Sequence, residues 1–513
     1  MSGCGALDTV FCDTEGCELS AREWVLLQSL AGLPEAPPED SSNRYLHLPA
    51  AQGLGQLLYF DARFSGPATV LDSLRRPMAY ARAPKGQPTD LSCASCHNPA
   101  RAGADFTSTP NHVSIGAGWY DVNGQQTVNA AYYRITYWNG RNDSLWAQIV
   151  AVAESFVSMG SNRLKISWLL QDKYRATYDV VFTEWPLPLE GSSSDVRALL
   201  VPDALPDGTP NPLAGQCALA SGVCAAPCRS ALGTDGATSC WPRFPLQGRP
   251  GATAGCQSTS AAEPFHDAFD CMADADREAI TRVLVNYAKA IAAYEQRLVS
   301  RDAPFDRWVE EGPASGHLTA EQVRGARLFV GKASCIDCHQ TPLFSDSDFH
   351  NVGVPQTGEG VPTVAECLEG TVCDCVQGRN CLPWGARDGL TKLRANGFRR
   401  DSRFSDDPAD TSRQDYLERE LDASLEGAWR TPSLRDVELT APYMHDGVYQ
   451  TLDEVVAHYD RGGSLGQGVG TPAVQVKPLF LTAQEKADLV AFLRSLTGTP
   501  LARELVVSPE LPP

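Results

Sequence analysis

Two short stretches, "LSCASCHNPA" (residues 91–100) and "KASCIDCHQT" (residues 332–341), share the pattern Cys-x-x-Cys-His. Two thiols three residues apart lie on one side of a helical turn, so both can add to the vinyl groups of one porphyrin. The histidine that follows can then offer its imidazole to the iron. The pattern predicts two covalently bound c-type haems, held by Cys93 and Cys96 with His97, and by Cys335 and Cys338 with His339.

A zinc ribbon is the competing interpretation of two Cys-x-x-Cys pairs. Zinc ribbons separate their pairs by roughly 15–20 residues, whereas Cys96 and Cys335 lie far apart in this chain. Zinc also gives no role to the two histidines. Haem attachment at both motifs is therefore the favoured interpretation, with His97 and His339 as the proximal iron ligands.

Composition limits the remaining possibilities. A chain of 513 residues with 43% hydrophobic content predicts two or three domains with substantial cores. No apolar run approaches the ~18 residues that a membrane helix needs, so we expect no membrane-spanning helix. The net charge of −19 argues against nucleic acid as a partner and favours a basic patch on any protein partner.

The other cysteines bear on the cellular compartment. The chain has 17 cysteines, and an odd number remains when the four haem cysteines are set aside. The opening "MSGC" resembles the end of a bacterial lipoprotein signal, which makes Cys4 a candidate lipid anchor. The others cluster at 12–17, 217–271 and 367–381 and are expected to pair as disulfides, which requires an oxidising space such as the periplasm. Free buried thiols or a metal cluster are the alternative.

The sequence patterns are mainly helical. Capping boxes open three segments, at Ser20 with Glu23, Thr319 with Gln322, and Thr482 with Glu485. A long amphipathic core helix is predicted over 277–299, with apolar residues recurring at helical spacing. Two stretches rich in Pro, Gly, Ser and Cys, at about 187–270 and 353–390, predict disulfide-stapled insertions in an α-helical scaffold.

The chain resembles the bacterial di-haem cytochrome c peroxidases and their MauG-like relatives over most of residues 54–496. The resemblance rests on blocks in the family's order, including "LYFDARFS", "SCASCH", "YWNGRNDSLWAQ", "CIDCHQTPLFSDSDFHNVG" and "WRTPSLRDVELTAPYMHDGVYQTLDEVV". It implies a mainly α fold with two cytochrome c-like haem domains. The expected division is an N-terminal segment (1–44), a peroxide-reacting haem domain (45–312) and an electron-transfer haem domain (313–513).

The resemblance also implies roles at the peroxide-reacting haem. Trp138 matches the family's tryptophan between the haems, although a core aromatic is the alternative, and Gln148 matches a polar residue over the peroxide-binding iron. The family commonly has a proline and an acid where this chain has Val152 and Ser158. A peroxide O–O bond breaks heterolytically when a group moves a proton from the near to the far oxygen, and serine alone cannot do this at neutral pH.

Two other residues could compensate for the missing acid. Glu154 lies one helical turn before Ser158 and is the candidate proton carrier; a solvated surface carboxylate is the alternative. Met159 could instead occupy the sixth position of the iron and close the site. Peroxide chemistry is thus implied by the resemblance and is left open by this pocket.

The resemblance further implies a calcium ion between the domains. Asn123 stands where the family supplies a side-chain oxygen, and the backbone carbonyls of Thr440 and Pro442 match its other protein ligands. Oxygen-only ligation suits Ca²⁺. Arg430 and His445 are expected to bond the haem propionates or the structure between the haems.

Tyr459 distinguishes the two branches of the family. It stands fourteen residues after His445, where the peroxidases place a methionine ligand of the C-terminal haem and the MauG-like proteins a tyrosine. Tyr459 therefore becomes the predicted second ligand opposite His339. The alternatives are a core tyrosine, because the segment from Leu452 has helical periodicity, and a rival ligand such as Met444.

Three functions compete. The first is a MauG-like oxidase that uses hydrogen peroxide to store two oxidising equivalents across both haems and delivers them to Trp or Tyr residues of a partner protein. The second is a cytochrome c peroxidase that removes hydrogen peroxide with electrons from a small redox protein. The third is a di-haem electron carrier without turnover. Tyr459 favours the first, in a periplasmic protein that is a monomer or a dimer.

Overall fold

The computed structural model describes residues 9–11, 18–108, 112–185, 187, 269, 274–363, 385–464, 466 and 468–513. The cysteines predicted to form disulfides lie outside these residues, and so does Cys4, so the insertions and the lipid anchor remain predictions. The four cysteines that the structure does describe are Cys93, Cys96, Cys335 and Cys338, and none of these four forms a disulfide.

The described part of the chain is mainly helical, as predicted. Its N-terminal half contains α1 (Ala21–Gln28), α2 (Pro49–Phe60), α3 (Cys93–Cys96), α4 (Leu145–Glu154), α5 (Arg163–Leu169), α6 (Arg175–Val181) and α7 (Asp274–Glu295). Its C-terminal half contains α8 (Pro304–Glu311), α9 (Ala320–Val330), α10 (Ala386–Ala395), α11 (Gln414–Glu418), α12 (Leu452–Asp460), α13 (Ala483–Arg494) and α14 (Arg503–Val506). The three predicted capping boxes are all present, at the starts of α1, α9 and α13.

Four short strands form two antiparallel pairs. Strand β1 (Thr9–Phe11) pairs with β2 (Glu18–Ser20), and β3 (Phe349–His350) pairs with β4 (Trp429–Arg430). The second pair holds His350 opposite Trp429. Among the described residues, no helix is both long enough and apolar enough to cross a bilayer.

The N-terminal half packs around α7. The helix predicted over 277–299 runs from Asp274 to Glu295, and its predicted apolar face is buried in a core shared with α2 and α4. Gly55 of α2 lies so close to α7 that an added Cβ would be 1.9 Å from the carbonyl oxygen of Ala290. Only glycine allows this helix crossing without a backbone shift.

The C-terminal half has a second core built on α9 and α13. Gly325 of α9 allows a similar close crossing, because an added Cβ would lie 2.0 Å from the carbonyl oxygen of Asp488. Leu27 of helix α1 and Leu30 just after it add to this core, and α8 adds Phe305 and Trp308. The predicted N-terminal segment therefore packs against the C-terminal half of the chain.

Candidate haem sites and the residues between them

The first Cys-x-x-Cys-His motif forms α3, the short helix Cys93–Cys96, so its two thiols share one turn. The Nδ1–H of His97 donates to the carbonyl oxygen of Gly103 over 3.1 Å, while the His97 carbonyl accepts from the Tyr59 hydroxyl over 2.6 Å. Burial lowers the pKa of His97. The imidazole is therefore fixed in position with its neutral form favoured, and Nε2 is the atom that would bind a metal.

The second motif repeats this arrangement. Cys335–Asp337 form a 3₁₀ turn, and His339 Nδ1 donates to the carbonyl oxygen of Phe344 over 2.9 Å. Burial lowers the pKa of His339 as well. A ligand histidine that donates its other ring N–H to a backbone carbonyl is the usual arrangement at metal sites in proteins, so both motifs fit haem iron.

A largely apolar cavity lies beside the second motif. Its walls include both cysteines of the motif, His339 and one face of α12, on which Leu452, Val455, Val456 and Tyr459 all line the cavity. Burial raises the pKa of Tyr459 above its ordinary value, with smaller contributions from the thiols of Cys338 and Cys335. Tyr459 and His339 line the same cavity. Met444, the predicted rival ligand, lines it as well.

Trp138 contacts residues close to both motifs. Its indole N–H donates to the carbonyl oxygen of Asn123 over 2.8 Å. The next residue, Gly124, contacts the first motif, since a Cβ added there would lie 3.5 Å from His97 Cε1. Trp138 also lines the cavity that contains His339. One indole therefore bridges the surroundings of both candidate iron ligands.

The residues predicted to bind calcium meet in the same region. The Asn123 Nδ2–H donates to the carbonyl oxygen of Pro442 over 2.7 Å. Thr440 and Pro442 line the cavity beside the second motif, which we call the C-terminal haem cavity below. The side-chain oxygen and nitrogen of Asn123 exchange places by a simple amide flip. After that flip, Asn123 would direct an oxygen toward the Pro442 carbonyl, and two oxygens facing one point suit Ca²⁺.

Arg430 and His445 both line this cavity. The Arg430 side chain is buried, and its guanidinium lies 3.6 Å from the centre of the Tyr133 ring. His445 is also buried, and burial lowers its pKa to about 3, so the ring is neutral at physiological pH. Both positions are compatible with the predicted haem contacts.

The residues predicted around the peroxide-reacting iron lie on or after α4. Gln148 is a residue of this helix, which begins after a Ser144 cap and ends at Glu154. Glu154 Oε1 accepts from the Nε of Arg163 at 2.8 Å, and Oε2 accepts from its Nη2 at 2.5 Å. This pairing counts against Glu154 as a proton carrier, because taking up a proton would break the ion pair. The role of Glu154 as the proton carrier stays a prediction. The Met159 side chain is buried.

Three features of the site were missed from the sequence. Trp429 stacks on the His445 ring, with ring centres 4.2 Å apart. His350 and Asp346 form an ion pair of 2.7 Å beside Cys338. Glu295 is buried near Cys93. The only sequence signal for the first two was their position inside the family blocks "WRTPSLRD" and "FSDSDFHNVG".

The mainly helical fold and two histidine-containing attachment motifs define a c-type cytochrome with two haem sites. The family model described as "Di-haem cytochrome c peroxidase" matches residues 49–200. Cytochrome-c peroxidase IdrP1 of Denitromonas iodatirespirans is 30% identical over 466 residues, which cover 90% of this chain and 84% of that protein. The chain therefore belongs to the di-haem cytochrome c peroxidase and MauG family.

Two further similarities agree with this assignment. The methylamine utilization protein MauG of Methylorubrum extorquens is 30% identical over 223 residues, covering 44% of this chain and 46% of that protein. A crystal structure of a MauG-like protein associated with microbial copper homeostasis superposes with a TM-score of 0.50 at 20% identity, covering 93% of this chain and 95% of that one. The predicted class, a peroxide-dependent di-haem oxidoreductase of c type, is confirmed.

Proposed function

We propose that this protein reacts with hydrogen peroxide at the N-terminal haem, stores two oxidising equivalents across both haems, and uses them to oxidise Trp or Tyr residues of a partner protein. The observation that carries the proposal is Tyr459 on the wall of the C-terminal haem cavity, close to Cys335 and Cys338. The haems, when bound, supply the redox chemistry.

The identity of this side chain matters because it sets which redox states are stable. A phenolate is an anionic, hard donor that stabilises ferric and more oxidised iron, whereas a methionine thioether raises the reduction potential. A phenolate at Tyr459 therefore favours storage of oxidising equivalents over rapid acceptance of electrons. The position of Tyr459 on the cavity-lining face of α12 supports this assignment.

We assign the connection between the haems to Trp138 and the calcium site to Asn123, Thr440 and Pro442. The indole N–H of Trp138 donates to the carbonyl of Asn123, so an ion bound by the Asn123 side chain would also fix the position of the indole. Gln148 is assigned to the peroxide side, and Arg430 and His445 to the haem cavity.

We keep two haem domains, with the boundary predicted between residues 312 and 313, although α8, which precedes that boundary, packs into the C-terminal core through Phe305 and Trp308. We place the protein in the periplasm, in keeping with the cysteine clusters and the family.

The second candidate function is a peroxidase that takes electrons from a small redox protein. Met444 favours it, since this thioether lines the same cavity as Tyr459.

The test is a reaction of the resting ferric protein with one equivalent of H₂O₂, followed by absorption and EPR spectroscopy. We expect two oxidising equivalents to persist and then to be consumed by an added peptide containing Trp and Tyr. Consumption by a reduced small cytochrome c but not by the peptide would favour the peroxidase. A protein whose spectra ignore peroxide would be an electron carrier.

A further inference from the structure

Three aromatic rings from distant parts of the chain form a stack beside the C-terminal haem cavity. The His445 ring lies between two indoles, 4.2 Å from Trp429 at an interplanar angle of 21° and 6.5 Å from Trp138 at 71°. The first contact is parallel stacking and the second is edge-to-face, which are the two favourable geometries for aromatic pairs. From this stack we infer that Trp429 is a second redox-active indole, which shares with Trp138 the oxidising equivalent passing between the haem sites.

All three rings line the cavity that contains Cys335, Cys338 and His339. Each ring is therefore next to the space where the C-terminal porphyrin binds. Trp429 is the more protected indole, since only 7% of the residue is exposed, and it packs against Val122 and Val469. Because few water molecules reach this indole, it can hold an oxidising equivalent for longer than an exposed one.

The backbone holds the two indoles in a fixed relation. The backbone N–H of Arg430 donates to the backbone carbonyl oxygen of Trp138 over 2.7 Å. The backbone next to Trp429 is therefore bonded to the backbone of Trp138. Pairing of β4 with β3 fixes the same segment on its other side, with Trp429 opposite His350. The stack is therefore a feature of the backbone as well as of the side-chain rotamers.

The charges around the stack make the indoles better sites of oxidation than the neighbouring phenols. The two indoles both contact the His445 ring. Tyr120 and Tyr137 instead contact the guanidinium of Arg141, which donates to the Tyr120 hydroxyl and lies 3.7 Å from the centre of the Tyr137 ring. Oxidation of a phenol releases a proton, which a guanidinium cannot accept.

The electron transfer balances without any further reagent. Hydrogen peroxide takes two electrons, one from the indole pair and one that the bound haems would supply, together with two protons from solvent, and is reduced to two molecules of water. When Trp138 has lost an electron, Trp429 supplies one across the His445 ring and becomes the oxidised indole, and the N–H proton of Trp429 stays in place. The inference depends on peroxide reactivity but not on the oxidation of a partner protein proposed above.

The experiment uses the di-haem protein with ring-deuterated tryptophan, treated with one equivalent of H₂O₂ and frozen for EPR. A parallel sample receives repeated additions of peroxide in the presence of dioxygen, and peptide mass spectrometry then maps added oxygen atoms. The variants are Trp429→Phe and Trp138→Phe, with Trp119→Phe as the matched control. Trp119 is fully buried in a separate cluster, and its indole donates to the Tyr80 carbonyl.

We expect oxygen to be added at Trp429 and Trp138 at least tenfold more than at Trp119. Trp429→Phe should lower the yield of the indole radical at least twofold while leaving the ferric haem spectra unchanged, and Trp119→Phe should have no effect. A wild-type map in which Trp429 is oxidised no more than Trp119 would overturn the inference, as would an unchanged radical yield in Trp429→Phe. The wild-type map needs no substitution, so it decides the matter even if a variant fails to fold.

Discussion

The two haem sites use the same local device in different electrostatic surroundings. At each site the Nδ1–H of the motif histidine donates to a backbone carbonyl, that of Gly103 or of Phe344. Near Cys93, however, the neighbouring carboxyl is the buried one of Glu295, whereas Cys338 is next to the His350–Asp346 pair. The motif therefore specifies attachment, and the surrounding fold makes the two sites different.

The direction of each pKa shift shows how the sites differ. Burial raises the pKa of Glu295 to about 8, which favours a neutral carboxyl near the N-terminal motif. Burial opposes a charged His350, but hydrogen bonds to Asp346 and Cys338 outweigh it and raise the His350 pKa to about 10. The carboxyl next to Cys93 is therefore neutral, whereas Cys338 lies next to an ion pair.

The largest expected effect is loss of a haem. Each pair of thioether bonds fixes one porphyrin, so the wild-type protein should carry two haem masses that survive denaturation. Changing Cys335 and Cys338 together to alanine should remove one of them, and changing Cys93 and Cys96 should remove the other. Mass spectrometry of the denatured protein measures this directly. Zinc in place of haem, or no added mass, would contradict the assignment of both sites.

The next effect concerns only the C-terminal site. If Tyr459 binds the iron opposite His339, Tyr459→Phe should open that iron to added cyanide or imidazole and abolish storage of two oxidising equivalents. Absorption and EPR spectra of the resting ferric protein report the change. Tyr449→Phe is the matched control, because the Tyr449 hydroxyl bonds the neighbouring His458 Nδ1 at 2.9 Å. A low-spin spectrum that survives Tyr459→Phe would identify another ligand, with Met444 as the first candidate.

A smaller effect is expected on the peroxide side. Because Arg163 binds both carboxylate oxygens of Glu154, we expect Glu154→Gln to change the rate of the spectral response to H₂O₂ by less than about tenfold. Loss of this partly buried pair should instead cost about 1–3 kcal/mol of stability. Stopped-flow absorption and thermal unfolding measure the two quantities.

Arg163→Gln is the matched variant for this comparison. It should lower stability by a similar amount, since it breaks the same ion pair from the other side. A slowing of 10²-fold or more in Glu154→Gln alone, within the range for general acid–base catalysis, would restore Glu154 as the proton carrier.

Local patterns were the part of the structure that the sequence predicted well. The attachment motifs and the capping boxes each lie within about one helical turn, so neighbouring residues determine their geometry. The apolar face of α7 was predicted because helical periodicity is also local. Family resemblance, not periodicity, singled out Tyr459. The apolar face of α12, which periodicity predicted, also lines the cavity beside the second motif, so periodicity alone could not separate a core tyrosine from an iron ligand.

The features missed from the sequence all depend on tertiary contacts. Trp429 meets His445 and Trp138 only because the β3–β4 pair and the loop containing Asn123 come together in the fold. The Glu154–Arg163 pair needs the turn after α4 to bring the start of α5 back toward it. No spacing rule in the sequence encodes such contacts, so the pairing of Glu154 could not be predicted from its position before Ser158.

The last prediction tests whether the Glu295 carboxyl near Cys93 is neutral in the folded protein. Glu295 has an ordinary pKa of 4.5, which burial raises to about 8 in the folded protein. Between these two pH values the folded state holds a proton on Glu295 that the unfolded state has lost, so raising the pH through this window destabilises the fold. Glu295→Gln removes this titration.

The variant should therefore gain stability relative to the wild type as the pH rises from about 5 to about 8. We expect a relative rise in the unfolding temperature of at least about 2–4 °C, the size that 1 kcal/mol produces in a domain of 150–250 residues, since each pH unit in this window is worth up to about 1.4 kcal/mol. Thermal unfolding at both pH values measures it, with the exposed Glu504→Gln as the control. If the two variants show the same pH dependence, Glu295 is already ionised in the folded protein, and the carboxyl near Cys93 must then have a partner that stabilises its charge. In that case the N-terminal site would resemble the His350–Asp346 site, and the contrast between the two haem surroundings would disappear.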